Sequence, residues 1–254
     1  MRWLILSDIH ANWEALTAVT ATLAGRFDAA LCLGDVVGYG PDPNPCVTWV
    51  AEHCRLTVRG NHDVACSHPD GALGFNPLAA FAARWTAAQL TPQAQAWLLA
   101  LPAGPQPVGD FQLVHGSPLD EDEYLVHEEA AEVAFAGSPW PLVFFGHTHL
   151  QGGFAALPDH AQSLLPEPVA PAPPTAGHEI VHVTALDVDS RLLVNPGSVG
   201  QPRDGDWRAA CAIYDQQRLQ IEFHRVPYDL RATQRKMLVG GLPPPLALRL
   251  ADGR

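Results

Sequence analysis

Residues 142–149, Leu-Val-Phe-Phe-Gly-His-Thr-His, join an apolar run of strand length to a glycine and two possible metal ligands. Four earlier apolar runs end in the same way, each followed by a loop that holds aspartate, asparagine or histidine. These runs are Trp3–Leu6, Ala29–Leu33, Leu56–Val58 and Phe111–Val114. Short apolar runs bounded by glycine and polar residues indicate buried strands. The chain therefore places chemically active side chains at the ends of five predicted strands.

Signals for helix starts separate most of these strands. Each combines a capping side chain with a following proline or an amphipathic pattern. The predicted starts are Asn12, Asn44-Pro45, Asn76-Pro77 and Thr91-Pro92, and Glu128–Phe135 has the pattern of a further helix. Strands that alternate with helices predict an α/β layered fold.

The last third of the chain has a different pattern, with strand-like runs joined by short turns. The runs are Ile180–Ala185, Arg191–Val194, Ala209–Tyr214 and Leu219–Val226. They predict antiparallel hairpins that form a second sheet. Asp229 is placed to cap a last helix that continues through Met237. We expect one domain over residues 1–254.

Residues 158–177 are rich in proline and alanine and have little periodic pattern. Proline lacks the amide donor that a helix interior or a sheet ladder requires. This composition predicts a long flexible insert within the domain.

The five strand ends carry two carboxylates, one amide and five imidazoles. They are Asp8, His10, Asp35, Asn61, His62, His115, His147 and His149. In open α/β sheets, ligands bind beyond the carboxyl ends of the strands, so these side chains should converge. A lone histidine at a strand end is usually structural, and a lone aspartate before a helix is usually a cap. Their joint occurrence favours a site.

Oxygen and imidazole ligands without a thiolate suit Mn²⁺, Fe, Zn²⁺, Co²⁺ or Ni²⁺. The set is too large for one tetrahedral zinc, but it suffices for two divalent ions that share a carboxylate. Two such ions bring four positive charges, and two ionised aspartates remove two of them. We therefore expect a locally positive site that attracts phosphate.

The formal net charge is −12, and no basic stripe is visible. This balance counts against long nucleic acids and against anionic membrane surfaces as partners. No run of about 18 apolar residues is present, which predicts no membrane span. Five cysteines without a Cys-x-x-Cys pair fit reduced thiols. With an N-terminal apolar run too short for a signal peptide, we expect a cytoplasmic location.

Taken in order, Asp-x-His, Gly-Asp, Gly-Asn-His-Asp, a later His and Gly-His-x-His resemble the calcineurin-like metallophosphoesterase superfamily. This set spans residues 7–149. The stretches Gly-Asp-Val-Val-Gly-Tyr-Gly-Pro-Asp-Pro-Asn and Asn-Pro-Gly-Ser-Val-Gly-Gln-Pro-Arg-Asp-Gly resemble a bacterial and archaeal branch of small predicted phosphodiesterases. The resemblance implies a four-layer sandwich of two mixed β-sheets flanked by helices.

The resemblance also implies ligand roles. One metal would be held by Asp8, His10 and His149, the other by Asn61, His115 and His147, and both by Asp35. His62 would contact the phosphate and protonate the leaving oxygen.

One departure concerns Gly38, Tyr39 and Gly40, which replace the Asp and Arg that protein phosphatases of the superfamily carry in a Gly-Asp-x-x-Asp-Arg-Gly pattern. The substitution argues against a phosphoprotein substrate. Asp63 is a candidate to orient His62 in place of the missing aspartate.

These residues predict a binuclear-metal-dependent hydrolase of small phosphate diesters or monoesters, in which a metal-bridging hydroxide attacks phosphorus. Arg59 and Arg203 are candidate phosphate contacts, although a surface ion pair explains either equally well. Two alternatives stay open: a non-catalytic interaction scaffold of the same fold, and a nuclease or dinucleoside-polyphosphate hydrolase. The sequence does not indicate an oligomeric state.

Overall fold

The computed structural model describes residues 1–68, 70–158, 160–164, 173, 175–186 and 190–254. Within these ranges the chain forms two six-stranded mixed sheets and eight α-helices, followed by a 3-10 turn at Arg249–Asp252. The helices are α1 Trp13–Thr22, α2 Pro43–His53, α3 Asn61–Ser67, α4 Pro77–Gln89, α5 Pro92–Leu99, α6 Glu128–Gly137, α7 Leu230–Val239 and α8 Pro244–Leu248.

The strands divide between the sheets without following chain order. They are β1 Arg2–Leu6, β2 Ala29–Cys32, β3 Cys54–Thr57, β4 Gln106–Val108, β5 Phe111–Leu113, β6 Leu142–Phe144, β7 Gly152–Ala156, β8 Ala161–Ser163, β9 Glu179–Ala185, β10 Leu192–Asn195, β11 Ala209–Asp215 and β12 Gln220–Val226. The first sheet has the order β3-β2-β1-β11-β12-β9, and the second has the order β4-β5-β6-β10-β7-β8. Strands β1, β2 and β3 are parallel to one another, as are β5, β6 and β10.

The two sheets pack face to face. Alternate side chains of β1 show this, because Trp3 and Ile5 join the core between the sheets while Leu4 and Leu6 face helices. Helices α1 and α2 contact the outer side of the first sheet, and α6 contacts strands of the second. The predicted four-layer sandwich is confirmed.

Four predicted helix caps are confirmed, since Asn12, Asn76, Thr91 and Asp229 each accept a backbone amide of the first turn. The prediction for Asn44 is wrong: α2 begins earlier, with Asp42 at its N-cap. The Asn44 side chain instead joins helices, donating to the carbonyl of Gln89 and accepting from the amide of Thr91.

The prediction that the last third builds its own sheet is also wrong. Strands β9, β11 and β12 extend the first sheet, where β11 pairs with β1, whereas β10 enters the second sheet beside β6. Periodicity shows that a run is a strand, but the choice of neighbour depends on which sheet can bury it. The C-terminal residues past the predicted helix fold as well, because α8 packs with α7.

The predicted flexible insert contains one ordered strand. Ala161–Ser163 form β8, which pairs with β7, and the amides of Ala161 and Ser163 donate to Glu132 and Glu128 of α6. The proline-rich remainder of that prediction, residues 165–172 and 174, lies outside the described residues. No helix in the described ranges has the length and apolar character needed to cross a bilayer.

Candidate metal centre

Loops from both sheets converge on one buried cluster. Ligand atoms of Asp8, His10, Asp35 and His149 form one compact group, and those of Asp35, His115 and His147 form another, all within 4.8 Å inside each group. Asp35 belongs to both. The cluster sits where β1, β2, β5 and β6 end, which is the edge that the sequence pattern predicted.

The backbone at this edge is strained. Five of the clustered residues have positive φ angles without being glycine: Asp8 at 52°, His10 at 47°, Asp35 at 52°, His147 at 66° and His149 at 62°. Such conformations are uncommon outside glycine and concentrate at functional sites. Glycine provides the necessary room nearby, because a Cβ at Gly60 would collide with Asp35, and one at Gly146 would collide with Ser7.

Three imidazoles are fixed from behind by backbone carbonyls. The Nδ1 atoms lie 3.1 Å from the Val37 carbonyl for His10, 2.7 Å from Leu33 for His115, and 2.6 Å from Gln201 for His149. A carbonyl can only accept, so each Nδ1 carries the proton. The three Nε2 atoms therefore point into the cluster, which is how protein structures orient histidine ligands.

The Nε2 atoms of His10 and His149 are only 3.1 Å apart. With both Nδ1 atoms protonated, two lone pairs face each other there. A cation next to them removes this conflict. Asp8 completes the group, since its Oδ1 is 3.3 Å from His149 Nε2 and has no hydrogen-bond partner among the described residues. This donor set fits a divalent metal.

The second group, around Asp35, His115 and His147, also brings oxygen and nitrogen donors together. His115 Nε2 lies 3.5 Å from Asp35 Oδ2, 3.3 Å from Asn61 Oδ1 and 3.1 Å from His147 Nδ1. Burial would lower the pKa of His115, but the Asp35 carboxylate outweighs it and raises the pKa to about 10, so a cation bound at Nε2 would take the place of a proton there. Carboxylate, amide and two imidazoles fit a second divalent ion.

Both carboxylates are held in the ionised state. Burial alone would raise the pKa of Asp8, but His149 outweighs it and holds the pKa below its usual range. For Asp35, the neighbouring His115 and His62 likewise outweigh burial, so its pKa lies well below the usual value. Asp8 Oδ2 also accepts from the Ser7 hydroxyl at 2.6 Å, which fixes its orientation.

Asp63 does not orient His62, contrary to the sequence-based hypothesis. Its carboxylate accepts backbone amides instead, from Asp35 at 2.8 Å, Val36 at 2.9 Å, Val37 at 3.2 Å and Gly60 at 3.0 Å. Asp63 therefore shapes the loop that carries Asp35.

His62 lies beside both groups but belongs to neither. Its ring contacts the rings of His10, Tyr39 and Phe75, with centroids 4.9, 4.4 and 4.7 Å away. Its backbone amide donates to Asp35 at 2.8 Å, and its buried Nδ1 has no partner among the described residues. Burial lowers the pKa of His62 to about 4.

The two predicted arginines differ in their surroundings. Arg59 forms a two-point ion pair with Glu121, at 2.5 and 3.0 Å, which is the alternative that the sequence left open. Arg203 lies near the cluster, with its backbone amide 3.2 Å from the carbonyl of His149.

Sequence reasoning missed two residues at the edge of the cluster. The Tyr124 ring lies 3.9 Å from that of His147, and Arg249, in the C-terminal 3-10 turn, lies 4.8 Å above the Tyr39 ring. Neither residue follows a predicted strand, so only the folded chain reveals their position.

Comparisons with known proteins agree with this geometry. A family model for the calcineurin-like phosphoesterase superfamily domain matches residues 1–218. The uncharacterized protein MJ0912 of Methanocaldococcus jannaschii is 33% identical over 258 residues, which cover 98% of this chain and 97% of the relative.

Two solved structures extend the comparison. A metallophosphoesterase from Sphaerobacter thermophilus has a TM-score of 0.82 at 39% identity, with 100% of this chain and 99% of that one covered. Protein PH1004 from Pyrococcus horikoshii OT3 has a TM-score of 0.75 at 19% identity, with 100% and 98% covered, and shares the fold. The chain belongs to the calcineurin-like phosphoesterase superfamily, and it is a metallophosphoesterase.

Proposed function

We propose that the chain is a binuclear-metal-dependent hydrolase of small phosphate esters. The observation that carries this proposal is the position of Asp35, which belongs to both ligand groups. Its Oδ2 lies 3.7 Å from His10 Nε2 in one group and 3.5 Å from His115 Nε2 in the other. A single carboxylate between two sets of imidazoles is suited to bridge two cations.

These contacts support the ligand roles that the resemblance implies. Asp8, His10 and His149 would hold one ion, and Asn61, His115 and His147 the other. When bound, two divalent ions supply Lewis-acid charge and lower the pKa of water toward neutrality. Mn²⁺, Fe, Zn²⁺, Co²⁺ and Ni²⁺ all suit this oxygen and nitrogen set.

We assign His62 to the phosphate and the leaving oxygen. Its ring lies beside that of His10, and its buried Nδ1, next to Gly38, has no hydrogen-bond partner among the described residues. Although burial lowers its pKa to about 4, an anionic phosphate beside the ring favours the protonated form. Protonated His62 would then donate a proton to the departing alkoxide.

The complete ligand set favours an enzyme over a scaffold that has lost its chemistry. The net charge of −12 favours small substrates over long nucleic acids. A cytoplasmic location and a dinucleoside-polyphosphate substrate both fit the sequence.

A substrate panel tests the proposal. Chelator-treated protein would be assayed against aryl phosphodiesters, aryl monoesters, cyclic nucleotides and dinucleoside polyphosphates with each of Mn²⁺, Ni²⁺, Co²⁺, Zn²⁺ and Mg²⁺. We expect metal-dependent turnover of at least one ester class. Absence of turnover with every ion, from protein that binds metal, would favour the scaffold.

A further inference from the structure

Two guanidinium groups meet at the rim of the metal centre. Arg203 Nη2 and Arg249 Nη2 both donate to Gln201 Oε1, at 3.2 and 2.7 Å. Within the described ranges, neither guanidinium has a carboxylate at ion-pair distance. Burial lowers the pKa of Arg249, and the charge of Arg203 lowers it further. Two adjacent, half-buried cations that share one neutral oxygen leave a local excess of positive charge.

Both arginines keep unused donors. The Nε atoms of Arg203 and Arg249 are buried and have no hydrogen-bond partner in the part of the chain that the structure describes. A buried donor without an acceptor costs free energy. Phosphoryl oxygens match the planar fork of a guanidinium, so an anionic ligand would satisfy these donors and the charge together.

The pair is tied to the metal centre through its neighbours. The Gln201 carbonyl lies 2.6 Å from Nδ1 of His149, so the residue that joins the two arginines also anchors a metal ligand. On the other side, Arg249 stacks over the Tyr39 ring, whose centroid lies 4.4 Å from that of His62.

Tyr39 therefore stands between Arg249 and the histidine that we assign to the reacting phosphate. Because the Tyr39 ring separates Arg249 from His62, Arg249 is better placed to contact a second anionic group than the phosphate that reacts. It also lies outside residues 1–218, the part that the family model matches. Arg249 belongs to the C-terminal segment that packs beside Tyr39, whereas Arg203 lies within the matched part.

We infer that Arg203 and Arg249 form an anion subsite beside the metal centre, and that the site selects phosphoesters carrying a second phosphoryl group. The substrate assignment rests on the proposed hydrolase function, whereas the binding of a second phosphate does not. The subsite would accept the second phosphate while the metal centre and His62 engage the first.

Ligand pairs that differ by one phosphate test this inference by calorimetric binding to manganese-treated protein. ADP against AMP probes an adjacent second phosphate, and thymidine 3′,5′-bisphosphate against thymidine 5′-monophosphate probes a separated one. In at least one pair we expect the ligand with two phosphoryl groups to bind about tenfold more tightly than the ligand with one, the scale of one charge-assisted contact. Arg249→Gln should remove most of that preference, and Arg249→Lys should keep part of it.

Arg235→Gln is the matched control, because Arg235 is an exposed arginine of the neighbouring helix α7. It removes the same charge and should leave the preference unchanged. The inference is overturned if neither pair shows a preference, or if Arg249→Gln and Arg235→Gln behave alike. For each variant, the affinities for both ligands of a pair are measured on the same preparation. A loss of folded protein therefore affects both affinities equally and cancels in their ratio. Hydrolysis assays on the same samples show separately whether the proposed function fails.

Discussion

Asp63 holds the loop of Asp35 in place, because its Oδ2 accepts the Asp35 backbone amide at 2.8 Å. Three further amides, from Val36, Val37 and Gly60, converge on the same carboxylate. Asp35, the residue shared by both candidate ligand groups, is thus oriented by a residue that belongs to neither group.

Asp63→Asn should therefore destabilise the chain and weaken metal binding together. The asparagine NH₂ would face amide donors, leaving at least one buried donor without an acceptor. We expect the free energy of unfolding to fall by about 2–4 kcal/mol. Urea denaturation of metal-free protein measures this, and calorimetry measures the accompanying loss of metal affinity.

Asp229→Asn is the control for the same chemical change. Asp229 caps α7 by accepting the Ala232 amide, and asparagine caps as well as aspartate does. Its unfolding free energy should change by less than about 0.5 kcal/mol. Equal effects of the two substitutions would show that the amide cluster around Asp63 is not what stabilises the loop.

Asn61→Ala and His62→Ala should separate metal binding from proton transfer. Asn61 faces His115 at 3.3 Å, so its loss should weaken one ion and be partly rescued by high metal concentration. His62→Ala keeps the backbone bond to Asp35 and removes only the ring. It should preserve metal content and slow turnover by roughly 10²–10⁴-fold, the scale of general acid catalysis.

Varying the leaving group tests whether His62 acts as the general acid. Esters of p-nitrophenol need little protonation, so His62→Ala should slow them less than it slows alkyl esters. His127→Ala, at an exposed histidine, serves as the control. Loss of bound metal in His62→Ala would mean that His62 is a ligand and that its assigned role is wrong.

Gln151 links the loop of His149 to strands β11 and β12 and to the residue that follows β10. Its side-chain amide donates to the carbonyls of Pro196, Cys211 and His224 and accepts from Arg225. Gln151→Leu would leave several buried polar groups unpaired and should reduce the unfolding free energy by about 2–4 kcal/mol.

Chemical denaturation checks that value against Gln95→Leu. Gln95 is exposed, and among the described residues its side chain makes one hydrogen bond, to the Ser67 carbonyl, so its replacement should cost less than about 1 kcal/mol. Comparable losses would show that the buried network does not support the site.

His224 should make the fold sensitive to acid. Burial, helped by the charge of Arg26, lowers its pKa from 6.5 to about 4. The unfolded chain thus binds a proton at higher pH than the folded chain does. The stability contribution is complete above about pH 6.5 and is lost as the pH falls toward 4, amounting to about 2–3 kcal/mol.

Unfolding free energies measured between pH 7 and 4 test this expectation. In His224→Gln the decline should be shallower, and the two curves should diverge most between pH 6 and 4. His224 also faces His178 at 3.1 Å and Glu222 at 3.3 Å, so His178→Gln provides the second comparison. Parallel curves for the wild type and His224→Gln would contradict the assignment.

The sequence was sufficient to predict that these aspartates and histidines converge, because they follow strands and glycines, features that are local in the chain. The same locality explains the correct caps at Asn12, Asn76 and Thr91. Apart from the start of α2, the wrong predictions concern tertiary choices. No local sequence feature predicts that β10 pairs with β6. Likewise, no residue near Asp63 in the sequence predicts that backbone amides surround its carboxylate in place of His62.

Arg249 illustrates the same limit. It lies in the last turn of the chain, far from any predicted strand, and reaches the site only because α7 and α8 fold back beside Tyr39. Such a residue has no signature in the sequence.

Metal titration of chelator-stripped protein tests the central claim most directly. Bound Mn²⁺ and hydrolysis of bis-p-nitrophenyl phosphate would be followed together, in the wild type and in Asp35→Asn. The shared position of Asp35 predicts that the wild type binds two ions per chain, that activity rises with the second, and that Asp35→Asn weakens both. Full activity with one bound ion, or weakening of only one ion by Asp35→Asn, would contradict the two-metal account.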